Sequence, residues 1–390
     1  MSSLNVEEEA ELKRNAVNEM KIVLINNDFD LRHNDGIGRY AKEVSGSLAK
    51  IGLDFKAIST DDLRITQKRS INFINIPIVK KAVKDYLTKH KPDLLHVIKP
   101  ESFVELPNLS EGVPVVTTWH DMKLFHRNIL FRGEKGLLKR SVFERAYEKA
   151  YTSSTAIVAV SSMTVKDINE WAMKRGIFDL QKRIDVINPG INENFINSST
   201  WNGERKDFIY VGFLPKVLPQ LLTAFSAISA RMGKSMLHIF TSTDGAKDII
   251  REASISIRKE WLLNKIVVHY KPSDADVLEM LRKSVALLHL SHMEGFGFPI
   301  LESLAAGTPA IVLKSARIPP EVLRFAIRLD LEEIPEKCSE LETKQHSVSP
   351  EATSYARSFT YSRTAENLLK LYASLGRGDY PVRGDRPANI

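Results

Sequence analysis

A chain of 390 residues, 43% hydrophobic and 26% charged, has the makeup of an ordinary globular protein and exceeds what one compact core usually holds, so two domains are expected. Its single cysteine, Cys338, excludes an internal disulfide framework and fits a reducing cytoplasm, and no apolar run is long enough to cross a bilayer. The net charge of +7 permits an anionic ligand or surface, while no helix-turn-helix, zinc-knuckle or aromatic RNA-binding signature supports nucleic acid as a partner.

Residues 1–20 are acidic and polar and read as an N-terminal extension, without the character of a secretory signal. The strand "KIVLIN" at 21–26 opens an N-terminal domain expected over 21–190. In "NDGIGRYAKEV" at 34–44, Gly36 and Gly38 precede a helix. A dehydrogenase fingerprint would follow the first strand almost directly, whereas about ten residues separate Asn26 from Gly36; an NAD-dependent enzyme is therefore disfavoured. A plain turn opening a surface helix remains the alternative.

Further apolar runs at 52–59, 93–98, 113–119, 156–161 and 183–190 alternate with helical stretches, the pattern of a parallel sheet covered by helices. The polar, Asn- and Ser-rich stretch 191–206 has no sustained period and predicts a linker. A second series follows at 207–213, 235–242, 265–271, 285–291 and 308–314, within a C-terminal domain expected over 207–361. One large α/β domain is the alternative; two Rossmann-like halves suit the length and the broken pattern better. A last amphipathic helix is expected over 362–376, followed by a loose tail at 377–390.

The most informative string is "EGFGFPILESLAAGTPAIV" at 294–312. Glu294 lies just past the buried strand "VALLHLS", and ligands of open α/β sheets collect beyond the carboxyl ends of strands. Gly295 and Gly297 let a ligand approach the main chain, Pro299 suits a helix start and Gly307 its left-handed end, giving a helix over 299–306. On that helix Ile300, Leu301, Leu304 and Ala305 form the core face, and Glu302 falls on the other face with Pro299, Ser303 and Ala306. Two carboxylates flanking free helix amides suit hydroxyls at both ends of a ligand with phosphate between them, as in a nucleoside diphosphate sugar. An N-capping loop with two solvated glutamates is the alternative reading of the spacing alone.

The whole string resembles the nucleotide-sugar motif of glycosyltransferase family 4, retaining enzymes of the GT-B fold, and the resemblance extends from Lys21 to about Leu375. It implies an α/β architecture of two Rossmann-like domains facing a deep cleft, with the C-terminal helix returning toward the N-terminal domain. It further implies that Glu294 contacts hydroxyls of the donor sugar, that Glu302 binds the ribose hydroxyls, and that amides between Gly295 and Phe298, including Phe296 and Gly297, hold sugar and phosphate. The Gly36–Gly38 loop would close over the diphosphate, and "TTWHD" would place His120 near the donor sugar. A structural histidine is the alternative for His120. "HYKPSD" at 269–274 would border the nucleobase, and Glu321 would lie near the donor.

In "YVGFLPK" at 210–216 the sequence departs from the family: Phe213 follows Gly212 where an arginine is usual, and Lys216 remains as the candidate cation, with Lys271 or Arg251 as substitutes. A lysine is a point charge and cannot grip a diphosphate in two places as a guanidinium does. Asp28-Phe-Asp30 and Asp274-Ala-Asp276 match a metal-binding Asp-x-Asp only formally, so no metal or other cofactor is expected. Residues 123–149 carry eight Lys or Arg against three Glu, interleaved with Leu, Ile and Phe, which fits either peripheral membrane contact or a solvated basic face.

The expected activity is transfer of a hexose, with retention, from a UDP- or GDP-linked donor to a hydroxyl of a glycan, lipid-linked or small-molecule acceptor. His120, Glu294 and Lys216 are the residues expected at the chemistry. A cytoplasmic enzyme, peripheral at the inner face of the membrane, fits this reading. A non-catalytic nucleotide-sugar binder and a phosphorylase or epimerase on the same fold are the alternatives.

Overall fold

The computed structural model describes residues 17, 20–25, 36–58, 63, 76–109, 112–122, 133–199, 201–215, 217–345 and 347–376, without the side chains of 133–139. Two compact units emerge: the described residues up to Pro189 together with Tyr361–Gly376, and Gly190–Thr360.

The first unit is built on a six-stranded sheet in the order β2-β1-β3-β4-β5-β6, with β1 Ile22–Ile25, β2 Phe55–Ile58, β3 Leu94–Val97, β4 Val115–Trp119, β5 Ala156–Ala159 and β6 Arg183–Val186. Every pairing is parallel. Helices α1 (Gly36–Lys50), α2 (Ile76–His90), α3 (Gly133–Ser153) and α4 (Ser162–Lys174) connect the strands. β1, β3, β4 and β5 are buried at every position, which is why they read in sequence as unbroken apolar runs, not as alternating ones.

The second unit repeats the plan with β7 Phe208–Val211, β8 Leu237–Thr241, β9 Ile266–Tyr270, β10 Ala286–His289, β11 Ala310–Leu313 and β12 Ile327–Leu329, ordered β12-β11-β10-β7-β8-β9 and again parallel. Its helices are α5 (Glu193–Ile196), α6 (Leu218–Met232), α7 (Ala246–Ser256), α8 (Asp274–Lys283), α9 (Phe298–Ala305), α10 (Pro320–Leu323), α11 (Ile334–Lys344) and α12 (Pro350–Arg357). The final helix, α13 (Tyr361–Gly376), belongs to the first unit and packs on α1: Leu368, Leu371 and Tyr372 share a core with Tyr40, Val44 and Leu48. Burying each such leucine contributes about 1.5–3 kcal/mol, enough to fix the helix there.

Four local expectations need correction. Gly36 and Gly38 do not precede a helix; they form the first turn of α1. The stretch 191–206 is not featureless, because Asn192 caps α5, Phe195 is fully buried and the Arg205 guanidinium is bound inside the second unit. Strand β12 was missed because an exposed Arg328 separates the partly buried Ile327 and Leu329, leaving no apolar run. Helix α9 spans Phe298–Ala305, and Glu302, Ser303 and Ala306 are as buried as the expected core face, because α12 and α8 pack against the helix as well as the sheet.

The expected tail, 377–390, the extension except Val17 and Met20, Asp28, Asp30 and Lys216 lie outside the described residues, as do 123–132 and the side chains of 133–139 in the basic segment. No helix among the described residues is long and apolar enough to cross a membrane.

Candidate active site

Strand β10 ends at His289, and the chain turns through Ser291–Gly297 into α9. This loop is pinned by its neighbour after β11: Glu294 N donates to the Arg317 carbonyl at 2.9 Å, and Arg317 N donates to the His292 carbonyl at 2.8 Å. Two side-chain contacts tighten it, Ser291 Oγ to the Met293 carbonyl at 3.2 Å and Gln220 Nε2 to His292 Nε2 at 2.7 Å. Glu294 is thereby held beyond the carboxyl end of β10.

Gly297 caps α9 in the left-handed region, at φ 110°. A Cβ there would meet Val322 Cγ1 at 3.3 Å, so a side chain would be strained twice over. No side chain caps the helix start, and Pro299 in the first turn lacks an N–H. The other end is the reverse case. Arg357 Nε donates to the Ala305 carbonyl at 3.0 Å, and Arg205 Nη2 to the Gly307 carbonyl at 2.9 Å, two cations on the negative end of the helix. Gly307, at φ 81°, is the left-handed stop expected from sequence. Glu302, in the middle of this short helix, is 2% exposed.

Next to β10 in the sheet lies β7, and its end supplies the second wall. Gly212 has φ 146°, and a Cβ would stand 2.8 Å from the Tyr210 hydroxyl, which donates to the Phe213 carbonyl at 2.9 Å. Burial raises the Tyr210 pKa, and the nearby Glu294 carboxylate raises it further, so the phenol stays protonated as a donor. Phe213 itself is exposed. Of the substitutes for the missing arginine, Lys271 lies at the carboxyl end of β9, whereas Arg251 stands midway along α7.

Beyond β8, a cavity of about 490 Å³ runs from Phe240, His269, Tyr270 and Lys271 along α8 past Asp276 to Met280 and Lys283. The His269 ring stacks on Phe240 with centroids 4.1 Å apart, and burial lowers its pKa, with neighbouring His238 lowering it further. Asp276 is engaged in the capping box of α8 with Ser273, a structural use for half of the Asp274-x-Asp276 pattern. Among the described residues no group of three His, Cys, Asp or Glu side chains could hold a metal ion.

In the first unit, His120 follows the end of β4. Its Nε2 lies 3.0 Å from the Ile98 carbonyl, which can only accept, so that nitrogen carries the proton. The ring is held edge-on by Tyr40 at 4.8 Å, and Tyr40 sits two residues after Gly38 on α1. Thus Gly36, Gly38 and His120 belong to one neighbourhood, while Gly212, Glu294, Gly295, Phe296, Gly297, Phe298 and Glu302 belong to another in the second unit.

The family profile described as "Glycosyltransferase Family 4" matches residues 34–195, and that described as "Glycosyl transferases group 1" matches 191–327. The chain belongs to glycosyltransferase family 4. It is a retaining enzyme that transfers a sugar from a nucleotide sugar. No curated protein sequence matches it. Among solved structures it is similar to a sucrose-phosphate synthase from Thermosynechococcus elongatus, with a TM-score of 0.68 and 14% identity over 93% of this chain and 100% of that one. The Anabaena protein HepE, solved in complex with UDP and glucose, gives 0.62 and 15% over 91% and 100%. WaaG, a glycosyltransferase involved in lipopolysaccharide biosynthesis, gives 0.62 and 13% over 92% and 100%. At such identities these likenesses establish the GT-B fold alone.

Sequence reasoning about this family 4 enzyme passed over His289, Tyr210 and the Phe240–His269 stack. One signal was available for the first: an imidazole interrupting the apolar run "VALLHLS" five residues before Glu294. The other two depend on which strands become neighbours.

Proposed function

We propose that this enzyme transfers a hexose from a UDP- or GDP-linked donor to a hydroxyl of a glycan, lipid-linked or small-molecule acceptor, releasing UDP or GDP, with the donor lying along the carboxyl edge of the second sheet. One observation carries the reading: an α9 start with no side-chain cap lies between Glu294 and the buried Glu302, next to the open Gly212 turn of the adjacent strand. Unsatisfied helix amides attract phosphate, and fixed carboxylates accept from sugar hydroxyls.

The strand order supports a direction for the donor. From β10 through β7 and β8 to β9 are three steps, about 14 Å at the usual strand spacing, comparable to the reach of an extended nucleotide sugar. On this reading Glu294 receives the hexose hydroxyls, and the amides of Gly295, Phe296, Gly297 and Phe298 receive sugar and diphosphate. Glu302 receives the ribose, and the cavity beside His269 and Tyr270 borders the base. Glu321 belongs at the rim of this site, since the next residue, Val322, packs on Gly297. Lys216, or Lys271 in its place, would supply positive charge to the leaving diphosphate, and for His120 and the Gly36–Gly38 turn we propose the family roles at sugar and diphosphate. The UDP and glucose complex of HepE supports a uridine donor, and the biosynthetic role of WaaG supports a lipid-linked acceptor.

Incubation with UDP- and GDP-hexoses, followed by nucleotide analysis and NMR of the sugar product, tests this. The expected result is chelator-insensitive release of UDP or GDP with the anomeric configuration kept, reduced in Glu294→Ala. Sugar phosphate formed only with added inorganic phosphate, or a donor epimerised without nucleotide release, would contradict it.

A further inference from the structure

His289 is 3% exposed, on a strand whose other residues, Ala286, Leu287 and Leu288, are fully buried. Neither ring nitrogen makes a hydrogen bond of good geometry. Leaving a buried polar group in that state costs about 1–3 kcal/mol, and leucine would fill the position without the cost. What faces the ring is Glu294: His289 Nε2 lies 3.3 Å from Glu294 Oε1, close enough for an ion pair though outside hydrogen-bond geometry.

We propose that His289 is a positioning residue for Glu294, holding one carboxylate oxygen from below so that the other is presented to the donor sugar. The inference rests on the reading of Glu294 as the sugar-binding carboxylate. The backbone of Glu294 is fixed by its exchange with Arg317 and His292, and the contact with His289 acts on the side chain. A glutamate has three side-chain torsions, and its side chain here keeps 22% of its surface exposed. An imidazole 3.3 Å from the carboxylate restricts its rotamers, and a fully packed strand residue cannot follow the carboxylate if it swings away. Tyr210 does not perform this task, because its hydroxyl is committed to the Phe213 carbonyl. A ligand hydroxyl then meets a carboxylate whose ordering has been completed in advance.

Calorimetric titration of wild type, His289→Leu, His289→Gln and Glu294→Ala with UDP, UDP-glucose, GDP and GDP-mannose tests the assignment. His289→Leu should bind the nucleoside diphosphate as wild type does and the matching nucleotide sugar about tenfold more weakly. His289→Gln, which returns an N–H to the same place, should recover most of that loss. A Leu variant with wild-type nucleotide-sugar affinity would overturn the proposal, as would equal loss of both ligands or a Gln variant no better than Leu. Glu294→Ala with unchanged preference between nucleotide and nucleotide sugar would remove the sugar assignment of Glu294 beneath it. Wild type binding none of the four would overturn the donor reading and this inference together.

Discussion

Two buried histidines stand on the strand beside the first strand of each sheet, third in β3 and last in β10, and their surroundings differ. His96 lies on β3 in the first sheet, fully buried, with Nδ1 2.5 Å from the Tyr372 hydroxyl and Nε2 2.7 Å from Thr118 Oγ1. Burial, helped by the charge of His120, lowers its pKa to about 3, so it is a neutral core group. His289 lies on β10 in the second sheet, equally hidden, without a hydrogen bond and beside a carboxylate. A buried imidazole thus serves the fold when both nitrogens are satisfied within it. On the reading proposed above, it serves the site when it lies beside a carboxylate that receives the donor sugar.

Substitution should separate the two. His96→Ala should destabilise the protein by about 3 kcal/mol, since it opens a cavity and strands Tyr372 and Thr118; denaturant titration measures this, and an unchanged midpoint would break the contrast. The same residue predicts a pH effect. His96 takes up a proton at about pH 6.5 when unfolded but only near 3 when folded, so the unfolded state binds more protons between those values. Stability from this group is complete above pH 6.5 and falls as pH drops through the window, by up to about 1.4 kcal/mol per pH unit. His96→Gln should flatten that limb in a stability-against-pH profile; an identical profile would contradict the neutral assignment.

Tyr372→Phe should cost about 1 kcal/mol, because one nitrogen of His96 loses its partner while packing is kept. Its effect should appear in the chemical midpoint and not in nucleotide affinity, which sharpens the division of labour between α13 and the β10 loop. The smallest effect on stability belongs to His289→Leu, within about 1 kcal/mol of wild type and of either sign, since an unsatisfied polar group is exchanged for an apolar one. A loss as large as that of His96→Ala would place both histidines in the same class.

Much of this organisation was legible in the residues. Strands such as "VALLHLS" and "AIVAVS" stand out because parallel strands are buried on both faces, and Gly307 announced the end of α9 because few other residues accept its conformation. The burial of Glu302 was not legible. Helical periodicity gives one apolar face, whereas α12, from fifty residues downstream, covers another. Separation in sequence, 102 residues for Arg205 and 52 for Arg357, likewise hid their capping of α9. Strand β12 is held by pairing with β11 and has no pattern of its own.

The most direct test of the donor site is calorimetric titration of UDP and GDP into wild type and Glu302→Ala. With the ribose hydroxyls on this carboxylate, one of the two nucleotides should bind wild type and lose at least about tenfold in affinity in the variant, at unchanged stoichiometry. Equal affinity in the two proteins would contradict the placement of the nucleotide along the carboxyl edge of the second sheet.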